Sequence, residues 1–339
     1  MSVSPSHDSQ VEVVPELHDW GEVAGEEIPP GLGPYRLAWR RLKRNKVALA
    51  FGGLFLVIVI LCVLAPVYAN DIAHTGPNDE HVDTALNQFG LPIGPTWHAH
   101  FFLGADNVGR DVAVRLLYGG RTSLQIGAEA TLITIIFATL LGIVAGYFRG
   151  PLDGLISRAF ELIWAYPVYL LGIALGVVLA ISGLDLGLFK LSGNSLQIPA
   201  IIIGFIYIPY VGKAVRGQVL GLREREFIDA ARQQGLGHTR IMFGEILPNV
   251  ASTILVFIPL IMANAILTEA GLSFLGAGVR PPNASWGTMI GDGIGLLPAA
   301  VHTMLVPGIM LVLCVLGINV FGDGVRDALD PRAKIRIEH

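Results

Sequence analysis

Cysteine is almost absent from this 339-residue chain, which has only Cys62 and Cys314. Both lie inside apolar runs, so neither a disulfide framework nor a cysteine metal site has the spacing it needs. Charge is scarce as well, at 15% of residues against 53% hydrophobic. A soluble domain carries about a quarter charged residues, so this balance points to lipid. The net charge of −4 argues neither for nor against nucleic acid, and no nucleic-acid partner is expected. The first thirty residues lack a basic head and an apolar core, so no cleaved secretory signal is expected. HExxH, GxSxG and a Cys beside a His are all missing. So is the phosphate-cradling GxxxxGK[ST]; its nearest approach, Gly212-Lys213, has Tyr207 in place of the first Gly and Ala214 in place of Ser or Thr. No catalytic residue is therefore expected, and ATP, if it drives the protein, must be bound by another polypeptide.

What the sequence has in abundance is long apolar runs. A hydrocarbon core about 30 Å thick takes about 20 apolar residues in a helix. Six stretches meet or approach that: 47–69, 126–147, 160–181 with Pro167 expected to bend it, 198–215, 250–272 and 304–321. With the amino terminus in the cytoplasm, 18 of the 23 Lys and Arg fall on the inner side. Only Arg110, Arg115, Arg121, Lys190 and Arg280 are left outside. By the positive-inside bias both termini are cytoplasmic.

These spans divide the chain. Residues 1–35 hold seven acidic residues and no Lys or Arg, and read as a disordered cytoplasmic tail, with a docking arm as the alternative. A basic segment and the first span occupy 36–69, and an extracytoplasmic loop 70–123. The core membrane domain runs 124–323 with a long inner loop at 217–249, and a cytoplasmic tail follows at 324–339. Loops this long are functional or disordered.

The inner loop reads as a helix holding Glu226, Phe227, Asp229, Ala230 and Ala231, stopped at Gly235 because glycine enters left-handed backbone cheaply. Phe227, Ala230, Ala231 and Gln234 are expected on one side, where the paired alanines leave a shallow face for a neighbour. A second short helix is expected to reach Ile246, with Pro248 opening the next span. Asp229-Ala230-Ala231, then Gly235, then Leu247-Pro248 resembles the EAA loop of bacterial ABC import permeases. The family's glutamate is replaced by Asp229. The alternative is a surface helix without special purpose.

The resemblance extends over about 35–332. Leu103-Gly104-Ala105-Asp106-Asn107-Val108-Gly109-Arg110-Asp111 and Gly120-Arg121-Thr122-Ser123-Leu124 are similar to the dipeptide, oligopeptide and nickel branch, where threonine usually takes the place of Ala105. So are Glu269-Ala270-Gly271-Leu272-Ser273-Phe274-Leu275-Gly276, Ser285-Trp286-Gly287 and the run from Gly322 to Pro331. The match favours the C-type permease of the pair. It implies an all-α integral membrane fold with six spans of the type I importer permease kind and a cytoplasmic coupling helix. It implies that Glu226, Asp229, Ala230, Ala231, Gly235, Leu247 and Pro248 meet the ATPase. It also implies a second permease, two ATPase subunits carrying ATP and Mg, an extracytoplasmic solute-binding protein, surrounding lipid and the bacterial cytoplasmic membrane. The acidic tail, the stretch 70–102 and the outer loop 182–197 depart from the pattern.

Asp106, Arg110 and Asp111 are candidates to gate the outer vestibule, with a local ion pair as the alternative. Outer-loop His74, His81, His98 and His100 lack the Cys or acidic pair that completes a coordination set, so no metal site is expected. Glu161 and Glu269, near span ends, are functional candidates or residues that snorkel or bond a neighbouring helix. A rival class, the gradient-driven secondary transporter, predicts membrane acids or broken helices near the midplane. A membrane enzyme would need a catalytic constellation, and none is seen.

Overall fold

The computed structural model describes residues 34–185, 187 and 190–329. The acidic tail up to residue 33 and the segment 330–339 lie outside the described residues. Helix α1 (Pro34–Arg44) and α2 (Lys46–Val63) are separated by Asn45, whose side chain caps α2 by accepting from the Ala48 amide at 3.0 Å. Helix α3 (Val112–Phe148) is followed by α4 (Gly150–Trp164) and α5 (Val168–Ser182). A two-residue hairpin, Leu184–Asp185 with Lys190–Leu191, leads to α6 (Gln197–Leu222). Then come α7 (Glu226–Gln233), α8 (Leu247–Phe274), α9 (Trp286–Ile294) and α10 (His302–Leu329).

Among the described residues five helical stretches are long and apolar enough to cross a membrane, and a sixth if α4 and α5 count as one broken span. The run expected as one bent span at 160–181 is two helices meeting at 91°. Pro167 has an extended ψ of 133° and no amide hydrogen, so the chain cannot continue α4 into α5. The second span also starts earlier than its apolar core. Arg115 and Arg121 hide the helical character of 112–125 from a hydropathy count, yet Asp111 caps that end through bonds to the Ala113 and Val114 amides.

Spans pack where side chains are small, the usual solution when lipid removes the hydrophobic drive. A Cβ on Gly142 would lie 2.8 Å from the Gly212 carbonyl, and Thr134 Oγ1 donates to the Gly204 carbonyl at 2.9 Å, which brings α3 and α6 together. The opposite faces stay exposed and apolar, with Leu56, Val57 and Ile60 on α2 and Ile309 and Val312 on α10.

At the end of the bundle bearing the long loop 70–111, Trp286 is fully buried. Its Nε1 donates to the Leu116 carbonyl at 3.1 Å. Ser285 closes a capping box with Thr288 at the start of α9. Glu269, also fully buried, accepts from Ser273 Oγ at 2.6 Å. A Cβ on Gly287 would collide with the Ala270 carbonyl. Sequence motifs far apart in the chain thus converge on one joint between α3, α8 and α9. Glu269 accepts from Ser273 in its own helix and also from Ser123 of α3 and Ser285 ahead of α9; Glu161 is exposed on α4.

Candidate functional site: the α6–α8 connection

Helix α6 ends at Leu222, and the Arg223 guanidinium donates to the Tyr147 carbonyl at the end of α3. Arg149 pairs with Glu224 beside it, at 2.5 Å. These contacts fix where α7 begins. Within α7, Glu226 and Asp229 lie in the first turn and Arg232 in the last, which suits the helix dipole at both ends. Arg232 pairs with Asp229 at 2.9 Å and lies 5.8 Å from the Tyr147 ring centroid. The Tyr147 hydroxyl bonds His238 Nδ1 at 2.9 Å.

The helix is anchored by Ile228, which is fully buried in the core cluster that also holds Tyr147, Ile156, Ile241 and Met242. Ala231, 6% exposed, follows it inward. The expected outward pairing of Ala230 and Ala231 is therefore corrected: only Ala230 faces out. In an eight-residue helix the large Ile228 sets which face turns in, and position 231, three residues on, shares it. The outward face carries Glu226, Ala230 and Gln233, with Phe227 and Asp229 at its edges.

Gly235 ends the helix at φ +76°. The Leu236 amide bonds the Ala231 carbonyl at 3.1 Å and the Gly235 amide that of Arg232 at 2.9 Å, the two bonds of a Schellman closure. Leu236 then packs on the same core as Ile228. The helix expected to end at Ile246 runs on into the membrane as one stretch, His238–Phe274. Residues Ile241–Ile246 widen into a π turn, in which the Leu247 amide bonds the Met242 carbonyl. That widening stands immediately before Pro248, whose ring and missing amide hydrogen disturb the ordinary ladder. Leu247 is half-buried against the core and Pro248 is exposed.

In the long loop 70–111 and at its junction with α3 the three gate candidates separate into two jobs. Asp106 is a hub: Oδ1 accepts from the Val108 and Arg110 amides, Oδ2 pairs with Arg110 at 2.6 Å, and Arg115 stands 3.4 Å away. Arg110 also reaches Asp292 on α9 at 3.8 Å. Burial pushes the Asp292 carboxyl up, against the pull of Arg115 and Arg110. Asp111 does not join this network. It is fully buried, caps α3 and accepts the Phe101 amide at 2.7 Å. Of the histidines, His81 and His100 meet edge-on at 5.9 Å and His81 bonds Thr75 at 2.8 Å. Among the described residues no three metal-ligating side chains cluster.

A membrane bundle with a short helix clasped between two spans at one end and a capped opposite end suits an importer's permease subunit. Residues 138–335 match the family model for the binding-protein-dependent transport system inner membrane component. Residues 33–88 match that for the N-terminal membrane domain of oligopeptide transport permease C. The chain is 39% identical over 91% of its length to the dipeptide transport system permease protein DppC of Alkalihalophilus pseudofirmus, covering 93% of that protein. It is 37% identical to the glutathione transport system permease protein GsiD of Pectobacterium atrosepticum (89% and 92% of the two chains). To the di/tripeptide transport system permease protein DppC of Pseudomonas aeruginosa it is 34% identical (89% and 93%). The inward-facing MetNI methionine ABC transporter shares the fold at TM-score 0.50 and 17% identity, over 63% of this chain and 96% of that one.

The chain belongs to the binding-protein-dependent permease family of ABC importers, in its C-type branch. It is a multi-pass inner-membrane subunit with a type I permease fold, and it is the non-catalytic component of a transporter whose ATPase is a separate subunit. The broken span α4–α5 is the feature a gradient-driven transporter would also have, but family membership sets that reading aside.

Proposed function

We infer that this subunit forms half of a channel that carries di- or oligopeptides inward, with a second, homologous permease as the other half. Two ATPase subunits binding ATP and Mg work it from the cytoplasm, and a solute-binding protein delivers peptide outside. The peptide cargo is supported by the names of relatives that align over nine-tenths of the chain. Both termini lie in the cytoplasm on this reading.

The coupling role rests on one observation: α7 is held rigidly from behind and open in front. Ile228 and Ala231 fasten it to the core, while Glu226, Ala230 and Gln233 present the outward surface. At either end the chain leads from α7 into a membrane span, back into α6, whose end Arg223 fastens to α3, and on into α8 through the continuous stretch from His238. Force applied to α7 therefore moves two spans together, which is what opening and closing a cavity requires.

The test is Ala230→Glu in the complete importer. The side chain is exposed, so membrane levels should stay near normal, while a larger charged group blocks close approach by the ATPase. Lost ATPase co-purification and lost uptake are expected. Normal assembly and uptake in Ala230→Glu would mean that α7 is not the docking helix. Ala231→Glu cannot serve, because it places a charge inside the core that Ile228 occupies.

A further inference from the structure

The break between α4 and α5 exposes a cluster that coupling does not explain. Trp164, Tyr166 and Tyr169 flank Pro167 and are 45%, 53% and 45% exposed. Trp164 stacks on Tyr210 of α6 with ring centroids 5.6 Å apart, and Tyr210 meets Phe257 of α8 edge-on at 5.7 Å. Lys213 Nζ lies 5.8 Å from the Trp164 ring centroid. On the other side of the break, the Tyr169 ring packs 2.5 Å from the place a Cβ on Gly271 would take. Phe257 and Gly271 both lie on α8, so the break sits alongside the apolar stretch of that span.

Non-helical backbone at that depth is tolerated only inside protein or against a water-filled cavity. Within this chain it is not covered, since residues 164–167 are all exposed, and no side chain caps the first turn of α5. Phenol and indole groups on a lipid face would likewise leave polar atoms without partners. Nor does a dry contact with another subunit suit the site, because Lys213 is exposed and pairs with no acidic side chain among the described residues. Burying it unpaired would cost several kcal/mol. What fits is water together with a ligand that offers rings or apolar groups and a carboxylate.

We propose that this aromatic face, Trp164, Tyr166, Tyr169 and Tyr210 with Lys213 at its edge, is the wall of the translocation cavity on which the passing peptide rests. Ring stacking takes apolar and aromatic side chains without selecting among them, and Lys213 attracts the terminal carboxylate, so a transporter of mixed peptides is served by few residues. The inference rests on the importer reading.

The test uses the assembled importer, with its ATPases and binding protein, reconstituted in vesicles. Tyr166→Cys and, separately, Tyr169→Cys are reacted with a charged, water-soluble thiol reagent. Cys62 and Cys314 are buried and give a silent background. Both introduced cysteines should react. A tryptic casein peptide mixture, at about twice its half-protecting concentration, should slow them about threefold by simple occupancy, and free amino acids should not. Reaction only with a membrane-soluble maleimide would show a lipid face, and no reaction with either reagent a subunit contact. Reaction unslowed by peptides would show a wet surface that does not bind them. Each of these three results overturns the proposal. If the ATPases do not co-purify at all, it is the importer reading that has failed.

Discussion

Two glycines and an aspartate show how differently residues of similar appearance behave. Gly235 and Gly90 both have positive φ, at +76° and +72°, and neither has an atom near the place a Cβ would occupy. Left-handed backbone costs a non-glycine residue about 1–2 kcal/mol, and more for a β-branched one. Gly235→Val and Gly90→Val should therefore lower stability equally, but only Gly235→Val should weaken ATPase association and uptake, since it reshapes the end of α7. Equal transport by the two variants would remove the coupling role from Gly235. Asp111 was a gate candidate from its motif, yet it is a buried helix cap. Asp111→Ala should cost about 1–2 kcal/mol for the cap and strand the Phe101 amide. A lower melting temperature in detergent is the expected pattern, restored only in part by Asp111→Asn, whose oxygen can cap α3 while its amide nitrogen cannot accept from Phe101. Sequence spacing could not tell Asp106 from Asp111, because the difference lies in which backbone amides the folded loop aims at each.

Among elements, the apolar spans were legible because a 20-residue charge-free run has few other uses. Their ends were not. Polar residues hid the first turns of α3, and Pro167 signalled a bend without its size. The stop at Gly235 was also legible, since only glycine takes that backbone cheaply. The orientation of α7 escaped because eight residues carry too little periodicity, and the core cluster that takes Ile228 is assembled from elements distant in sequence. That burial makes a prediction. Ile228→Ala should cost about 2–4 kcal/mol, paid locally as detachment of α7 rather than as unfolding of the bundle. Trypsin added to the cytoplasmic face should then cut at Arg225 and Arg232 faster than in the unmodified chain. An unchanged cleavage rate would mean α7 is held by its ends alone.

At the scale of the whole molecule the open choice is how α4 and α5 cross the membrane, since they decide the side on which everything after them lies. As one broken span, the pair gives six crossings, and the 18-to-5 division of basic residues holds from end to end. As a re-entrant hairpin, it gives five, and α6, α7 and α8 all change direction. The hairpin loop near Asn194 and the helix near Gln233 would then exchange sides. Both positions are exposed, and so is His98 in the first outer loop, whereas His81 is half-buried and bonded to Thr75 and makes a poorer probe. Single cysteines at His98, Asn194 and Gln233, in whole cells with an impermeant reagent, separate the two. Six crossings predict labelling at 98 and 194, and at 233 only after the membrane is opened. Five predict labelling at 98 and 233 and protection at 194. The basic residues bear on the outcome, because five crossings would put the cluster from Lys213 to Arg240 outside and unbalance the charge across the bilayer. An ATPase cannot reach α7 from outside the cell, so labelling of Gln233 in intact cells would remove the coupling helix together with the topology.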